Sequence, residues 1–278
     1  MTALSSWFEK LFFGDDRPHK DGSLAAIIGT GGKTSLIWHL AGCLARPGKT
    51  SADGQSRNLA ARRKILVTPT AKMLVPEDIS LYDRYIDFST NGNIGTAARG
   101  TPVSGITLAG SFNRQTGKLE ALPPQALEEL IPFYDLVLAE ADGSRGLPLK
   151  AWAANEPVVP HCASHTIGVL PLWPIGKTVS EELIHRLDLF LALTGASRGE
   201  TINNGHILKL IAGNGEGPPT GIFAKARGKK VLFFSQIEDR QTFAYAQKLS
   251  LLLPARIRDG LEHIIAGSVK LDSLEELG

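Results

Sequence analysis

Leu24-Ala25-Ala26-Ile27-Ile28-Gly29-Thr30-Gly31-Gly32-Lys33-Thr34-Ser35 is the stretch on which the reading of this chain turns. An apolar run enters a glycine-rich turn, and the turn enters residues 33–45, where Leu36, Leu40 and Leu44 recur at helical spacing. A strand that turns in this way into a helix is the context a phosphate-binding loop requires. The residue types suit that chemistry. Backbone N–H groups converge on a triphosphate only where side chains are small, and Gly29, Gly31 and Gly32, with Thr30 among them, meet that need. The helix that follows points its positive end at bound phosphates. Lys33 can reach the outer phosphates as a point charge. Thr34 offers a hydroxyl to Mg²⁺, and Ser35 one to a phosphate oxygen.

Working outward, strand-like runs at 64–68, 106–110, 118–122, 135–140, 166–172, 231–235 and 264–269 alternate with helix-like runs. The helices are expected at 123–133, 180–193, 203–211 and 239–253, the third of these four opening near Asn203 and the second capped by Ser180. Asn113 to Gly117 reads as a hairpin turn between two strands. The alternation predicts an α/β fold with a mainly parallel sheet and helices on both faces, of the P-loop nucleoside triphosphate-binding type. Residues 46–63, polar and rich in glycine, serine and basic side chains, read as a loop. Residues 1–20 read as an extension carrying an amphipathic helix around Trp7, Phe8, Leu11 and Phe12, which either packs on the domain surface or lies on a membrane surface. Residues 21–278 read as one domain, with an irregular functional loop around 143–160.

Composition bounds the partners. The chain has 278 residues and a formal net charge of +2, so no global field points to nucleic acid. No apolar run approaches the ~20 residues of a membrane span, and no stable membrane anchoring is expected. The two cysteines, Cys43 and Cys162, form no disulfide framework and suit a reducing, cytoplasmic compartment. His161, Cys162 and His165 are ligand types, but a structural zinc site usually needs a fourth partner and the sequence offers no second cluster, so no metal is expected there.

A triphosphate site needs a carboxylate for Mg²⁺, commonly at the end of a buried strand. Four apolar residues, Leu136 to Ala139, lead to Glu140 and Asp142, which share a side if the strand continues that far. Lys33, Glu140 and Asp142 are therefore the candidate catalytic residues, and Thr34, Glu140 and Asp142 the candidate metal ligands. Thr68, Thr70 and Lys72 follow a similar strand end and could face phosphates or a second substrate. Arg145 and Lys150 lie with Glu156 in the 143–160 loop and join the binding set, since loops above a sheet carry function. His185 and Arg186, in the helix expected over 180–193, could put a donor into the cleft.

The loop lacks the first glycine of the usual spacing, with Ile27 in its place, and is similar to that of Mur-type ligases. More specifically, GTGGKTS at 29–35, VTPTAKM at 67–73, LAEADGSRGLPLKAW at 138–152, NEPVVP at 155–160 and IGVLPLWPIGK at 167–177 with His185-Arg186 make the chain resemble the YqeC family from about residue 25 to 237. The resemblance implies an accessory factor for selenium-dependent molybdenum hydroxylases. Its partner would be a hydroxylase apoprotein or a molybdopterin nucleotide. The reaction itself is read from the phosphate loop and not from the resemblance: a nucleoside triphosphate, ATP or GTP, bound with Mg²⁺ and used by an NTPase. A Mur-like ATP-dependent ligase, or a binding protein that nucleotide merely switches, are the alternatives. Family members tend to carry an Asn-x-x-Asp-like element after a late strand. Here Ser235-Gln236-Ile237-Glu238-Asp239 stands instead, so ATP and GTP both remain open.

Overall fold

The computed structural model describes residues 3–14, 22–46, 62–88, 103–215 and 220–277. The protein is α/β, with a large, mostly parallel sheet and helices. Its contacts divide it into two compact units, Met1–Ala25 with Thr34–Glu140, and Ala26–Lys33 with Ala141–Gly278. Most of the loop expected over 46–63 lies outside the described residues.

In the first unit, α1 (Ala3–Phe13) buries Leu4, Phe8 and Phe12; of the face expected around Trp7, Phe8, Leu11 and Phe12, Trp7 and Leu11 are only half-buried. Strand β1 (Ser23–Gly29) starts in this unit and ends in the other, and α2 (Lys33–Leu44) lies here from Thr34 onward. β2 (Lys64–Pro69) runs parallel to β5 (Gly105–Asn113) on one side and to β7 (Leu136–Glu140) on the other. β3 (Lys72–Leu74) and β4 (Arg84–Asp87) were not foreseen. β4 lies parallel to β5, and β6 (Lys118–Glu120) is antiparallel to both β5 and β3. The β5–β6 hairpin closes as expected. Gly117, at φ 66°, donates its N–H to the Asn113 carbonyl at 2.9 Å, and the Asn113 side chain accepts from the N–H groups of Gln115 and Thr116. α3 (Pro124–Leu130) leads into β7, every residue of which is buried. That explains the unbroken apolar run, because a parallel strand covered on both faces has no polar side to show.

In the second unit, β11 (Lys229–Ser235) lies parallel to both β9 (His165–Pro171) and β12 (His263–Ser268), and β9 neighbours β1. β13 (Ser273–Glu276) closes the edge antiparallel to β12. Fully buried Phe233 and Phe234 contribute on the order of 1.5–3 kcal/mol each by leaving water. α5 (Asn204–Ala212) starts at an Asn203 cap, and α6 (Arg240–Leu252) at an Asp239 cap whose carboxylate accepts the Thr242 N–H at 2.7 Å. A short α7 (Ala255–Arg258) precedes β12.

The helix expected over 180–193 is corrected. Ile184–His185 is a short strand, β10, paired parallel to β8 (Leu149–Lys150). The helix, α4, spans Leu187–Thr194. The physical reason is local: the backbone of Ile184 and His185 bonds sideways to β8, and Arg186 sits at φ 60°, which a helix cannot incorporate. His185 and Arg186 therefore precede the helix and are not part of it. Among the described residues, no helix is long and apolar enough to cross a membrane.

Candidate functional site

The glycine-rich turn forms as a strand-to-helix connection. In the second unit, Gly29 stands at φ 97°, and a Cβ built there would fall 2.1 Å from the Val169 carbonyl oxygen, so only glycine fits against β9. Thr30 donates its N–H to that same carbonyl at 2.8 Å, and its buried hydroxyl has no hydrogen-bond partner among the described residues. Gly32 is different: φ is 111°, and a Cβ there would have nothing nearer than the Gln236 amide at 3.9 Å. It faces open space, where a side chain would occupy the concavity of the turn. Ser235, at the end of β11, braces the turn by donating its hydroxyl to the Gly31 carbonyl at 2.8 Å. Gln236, at φ 56°, accepts from the Trp173 indole at 2.9 Å. The sequence reading considered this segment only for base recognition and missed the brace.

Lys33 is buried. Its ammonium donates to the Gly29 carbonyl at 2.6 Å and lies 3.3 Å from Asp142 Oδ1. Asp142, with no exposed surface, is held from several sides. Its Oδ2 accepts the Gly29 N–H at 3.1 Å and the Trp152 indole N–H at 2.7 Å, and Lys150 lies 3.4 Å away. Lys150 is fully buried as well, which is rare for an ammonium and tolerable only with every donor engaged. Gly143 O at 2.7 Å and Glu156 Oε2 at 3.0 Å accept its hydrogen bonds, and the Asp142 carboxylate pairs with it at 3.4 Å. Glu156 in turn holds Arg186, whose guanidinium engages both carboxylate oxygens. Burial raises the Glu156 carboxyl, but Arg186 and Lys150 outweigh it and hold the group below its ordinary value. Burial, then the charges of Arg186, Lys150 and Arg145, push His185 down, favouring its neutral form. Lys33, Lys150 and Arg186 against Asp142 and Glu156 make three cations to two anions, an excess of one positive charge.

In the first unit, Thr34 donates its hydroxyl to Glu140 Oε2 at 2.9 Å, joining the start of α2 to the end of β7. Ser35 is exposed. Thr68 is buried with its hydroxyl on the Pro69 carbonyl at 3.4 Å, and Thr70 donates its N–H to the Glu140 carbonyl. Lys72 is largely exposed and pairs with Glu120 across β3 and β6.

The structure thus gathers Lys33, Asp142 and Lys150, with Glu156 and Arg186, into one network in the second unit. Arg145 lies exposed at φ 54°. β7 ends at Glu140, so Asp142 stands beyond the strand. Trp152 was quoted in the sequence only as part of a motif. Its role as donor to Asp142 is a tertiary fact, though a tryptophan inside an acidic, basic and proline-rich loop is the kind of residue that needs a partner for its N–H.

These features define an α/β protein whose glycine-rich strand-to-helix turn is backed by a buried ion network. The chain belongs to the YqeC family: the family model described as YqeC protein matches residues 25–188. It is similar to a protein of Escherichia coli (strain K12) described as uncharacterized protein YqeC, at 30% identity over 255 residues, covering 89% of this chain and 88% of that one.

Proposed function

We propose that this protein binds a magnesium nucleoside triphosphate at the turn of residues 29–35, hydrolyses it, and serves as an accessory factor in maturing a selenium-dependent molybdenum hydroxylase or its cofactor. The observation that carries the nucleotide reading is the turn: a buried strand enters glycines at φ 97°, 61° and 111°, and a lysine opens the helix that follows. Such a turn offers N–H groups and a helix N-terminus to an anion. The client assignment draws its support from the family resemblance.

Hard oxygen donors suit Mg²⁺, and the Thr34 hydroxyl with the Glu140 carboxylate is such a set. Bound there, the metal would supply charge neutralisation at the phosphates. Lys33 would neutralise charge at the transferring phosphoryl, and Asp142 would hold Lys33 and the Gly29 amide in place. Thr68, Thr70, Lys72, Arg145 and Lys150 stay in the proposal as contacts to phosphates or to the second substrate. Asp239 accepts the Thr242 N–H as the cap of α6 and so has a structural task, which supports weak discrimination between ATP and GTP.

Calorimetry of Lys33→Ala with Mg-ATP and Mg-GTP tests the reading, with circular dichroism as the folding control. The expected outcome is a folded variant without measurable affinity for either nucleotide. Affinity equal to that of the wild type removes the turn from nucleotide binding.

A further inference from the structure

The second unit contains a cleft of about 270 Å³ that the nucleotide reading does not use. Trp152, Ala153, Leu189, Ala192, Leu193 and Lys225 are among the residues that line it. Leu189, Ala192 and Leu193 follow one another at helical spacing on α4, so one side of the cleft is a single helix face. Leu189 is 41% exposed there, an apolar side chain left in water. The walls are mostly small or apolar, and one of them carries an indole. That combination suits a flat ring, which stacks on an aromatic face and needs little depth.

Size and charge narrow the ligand. Pockets for drug-sized molecules run from about 300 to 1,000 Å³, so this cleft takes one or two fused rings and excludes a whole nucleotide. Two ionisable side chains line it. Glu156 is already neutralised by Arg186 and Lys150. Lys225 is exposed and has no ion-pair partner among the described residues. The unbalanced charge of the cleft is therefore positive.

We propose that this cleft is a binding site for a small planar aromatic anion, the ring lying against Trp152 and the α4 face and the anionic group meeting Lys225. The proposal does not depend on nucleotide binding at the turn. A family of pocket variants separates the two claims, since among the described residues no side-chain hydrogen bond or ion pair joins Ala192 or Lys225 to the network behind the turn.

The test uses the full chain without nucleotide, titrated with 2-naphthoate and, separately, with the neutral 2-naphthylmethanol, followed by ligand-observed NMR and by tryptophan fluorescence. Wild type is expected to bind 2-naphthoate in preference to the alcohol. Ala192→Trp, which fills the cleft from an exposed helix position, is expected to abolish binding with an unchanged circular dichroism spectrum. Lys225→Gln is expected to weaken 2-naphthoate by about three- to fivefold, the scale of an exposed ion pair, and to leave the alcohol unaffected. Binding by Ala192→Trp equal to wild type overturns the location. Equal binding of acid and alcohol overturns the assignment to an anion, and no binding of either by wild type overturns the site.

Discussion

Two clusters in the second unit each place an arginine among carboxylates, and they differ in what surrounds them. Arg198 reaches Glu181 at 2.8 Å and Asp188 at 2.9 Å, with all three side chains exposed by half or more. Water and salt screen these pairs, and holding long side chains in one geometry costs entropy that offsets the attraction. Lys33, Asp142, Lys150, Glu156 and Arg186 form the other cluster, with Asp142 and Lys150 fully buried. Desolvation there is large, so each ion depends on its partners and on the neutral donors around them. Similar bond lengths thus carry different energetic weight. The tighter cluster is the one directly behind the glycine-rich turn, where displacement of Lys33 or Asp142 would disturb the Gly29 amide.

Asp142→Asn should break this contrast most strongly. It keeps the shape, but leaves two buried ammonium groups facing an amide, and a cost of about 3–5 kcal/mol is expected, read from urea denaturation. If the loss matches that of an Arg198 variant, burial does not govern the cluster. Trp152→Phe is a finer cut: it removes the indole N–H from Asp142 Oδ2, along with part of the ring, and leaves the carboxylate in place. A hydrogen bond to a charged group contributes about 1.5–3 kcal/mol, so the loss should fall below that of Asp142→Asn.

Glu156 sharpens the comparison through pH. Its folded carboxyl is held below the ordinary value of 4.5, so in acid the unfolded chain binds the extra proton. The stabilisation is complete above the ordinary value and disappears as pH falls through the lowered folded one. Glu156→Gln lacks this component, so the stability gap between wild type and variant should narrow on acidification. A gap independent of pH would mean that Glu156 does not titrate differently on folding. Last and smallest, Arg198→Ala should leave the denaturation midpoint indistinguishable from wild type. A clear shift would show that the exposed cluster is worth more than its screening allows.

The sequence could be read where local chemistry and global fold agree. Continuous apolar runs mark β1, β2, β7, β9, β11 and β12, because strands buried on both faces have no polar side to show. Asn113 to Gly117 announces its turn, since glycine takes the left-handed conformation there without strain. The strand-to-helix turn at Gly29 to Lys33 is legible for the same reason. Short edge strands such as β3 and β4 are not, because a few residues lack the length to show a period.

By itself, then, the sequence determined the α/β alternation, the glycine-rich turn at its first strand, and the family. Tertiary structure alone decided that Ile184–His185 is a strand, because its partner Leu149–Lys150 lies far away in the chain and only folding brings the two backbones together. It also decided which charges matter. Lys150 and Lys72 look alike in the sequence, yet one is sealed between two carboxylates and a carbonyl while the other stands largely in water. Dielectric surroundings are set by the whole fold and not by neighbours in the chain, so the weight of a charge is not written at its own position.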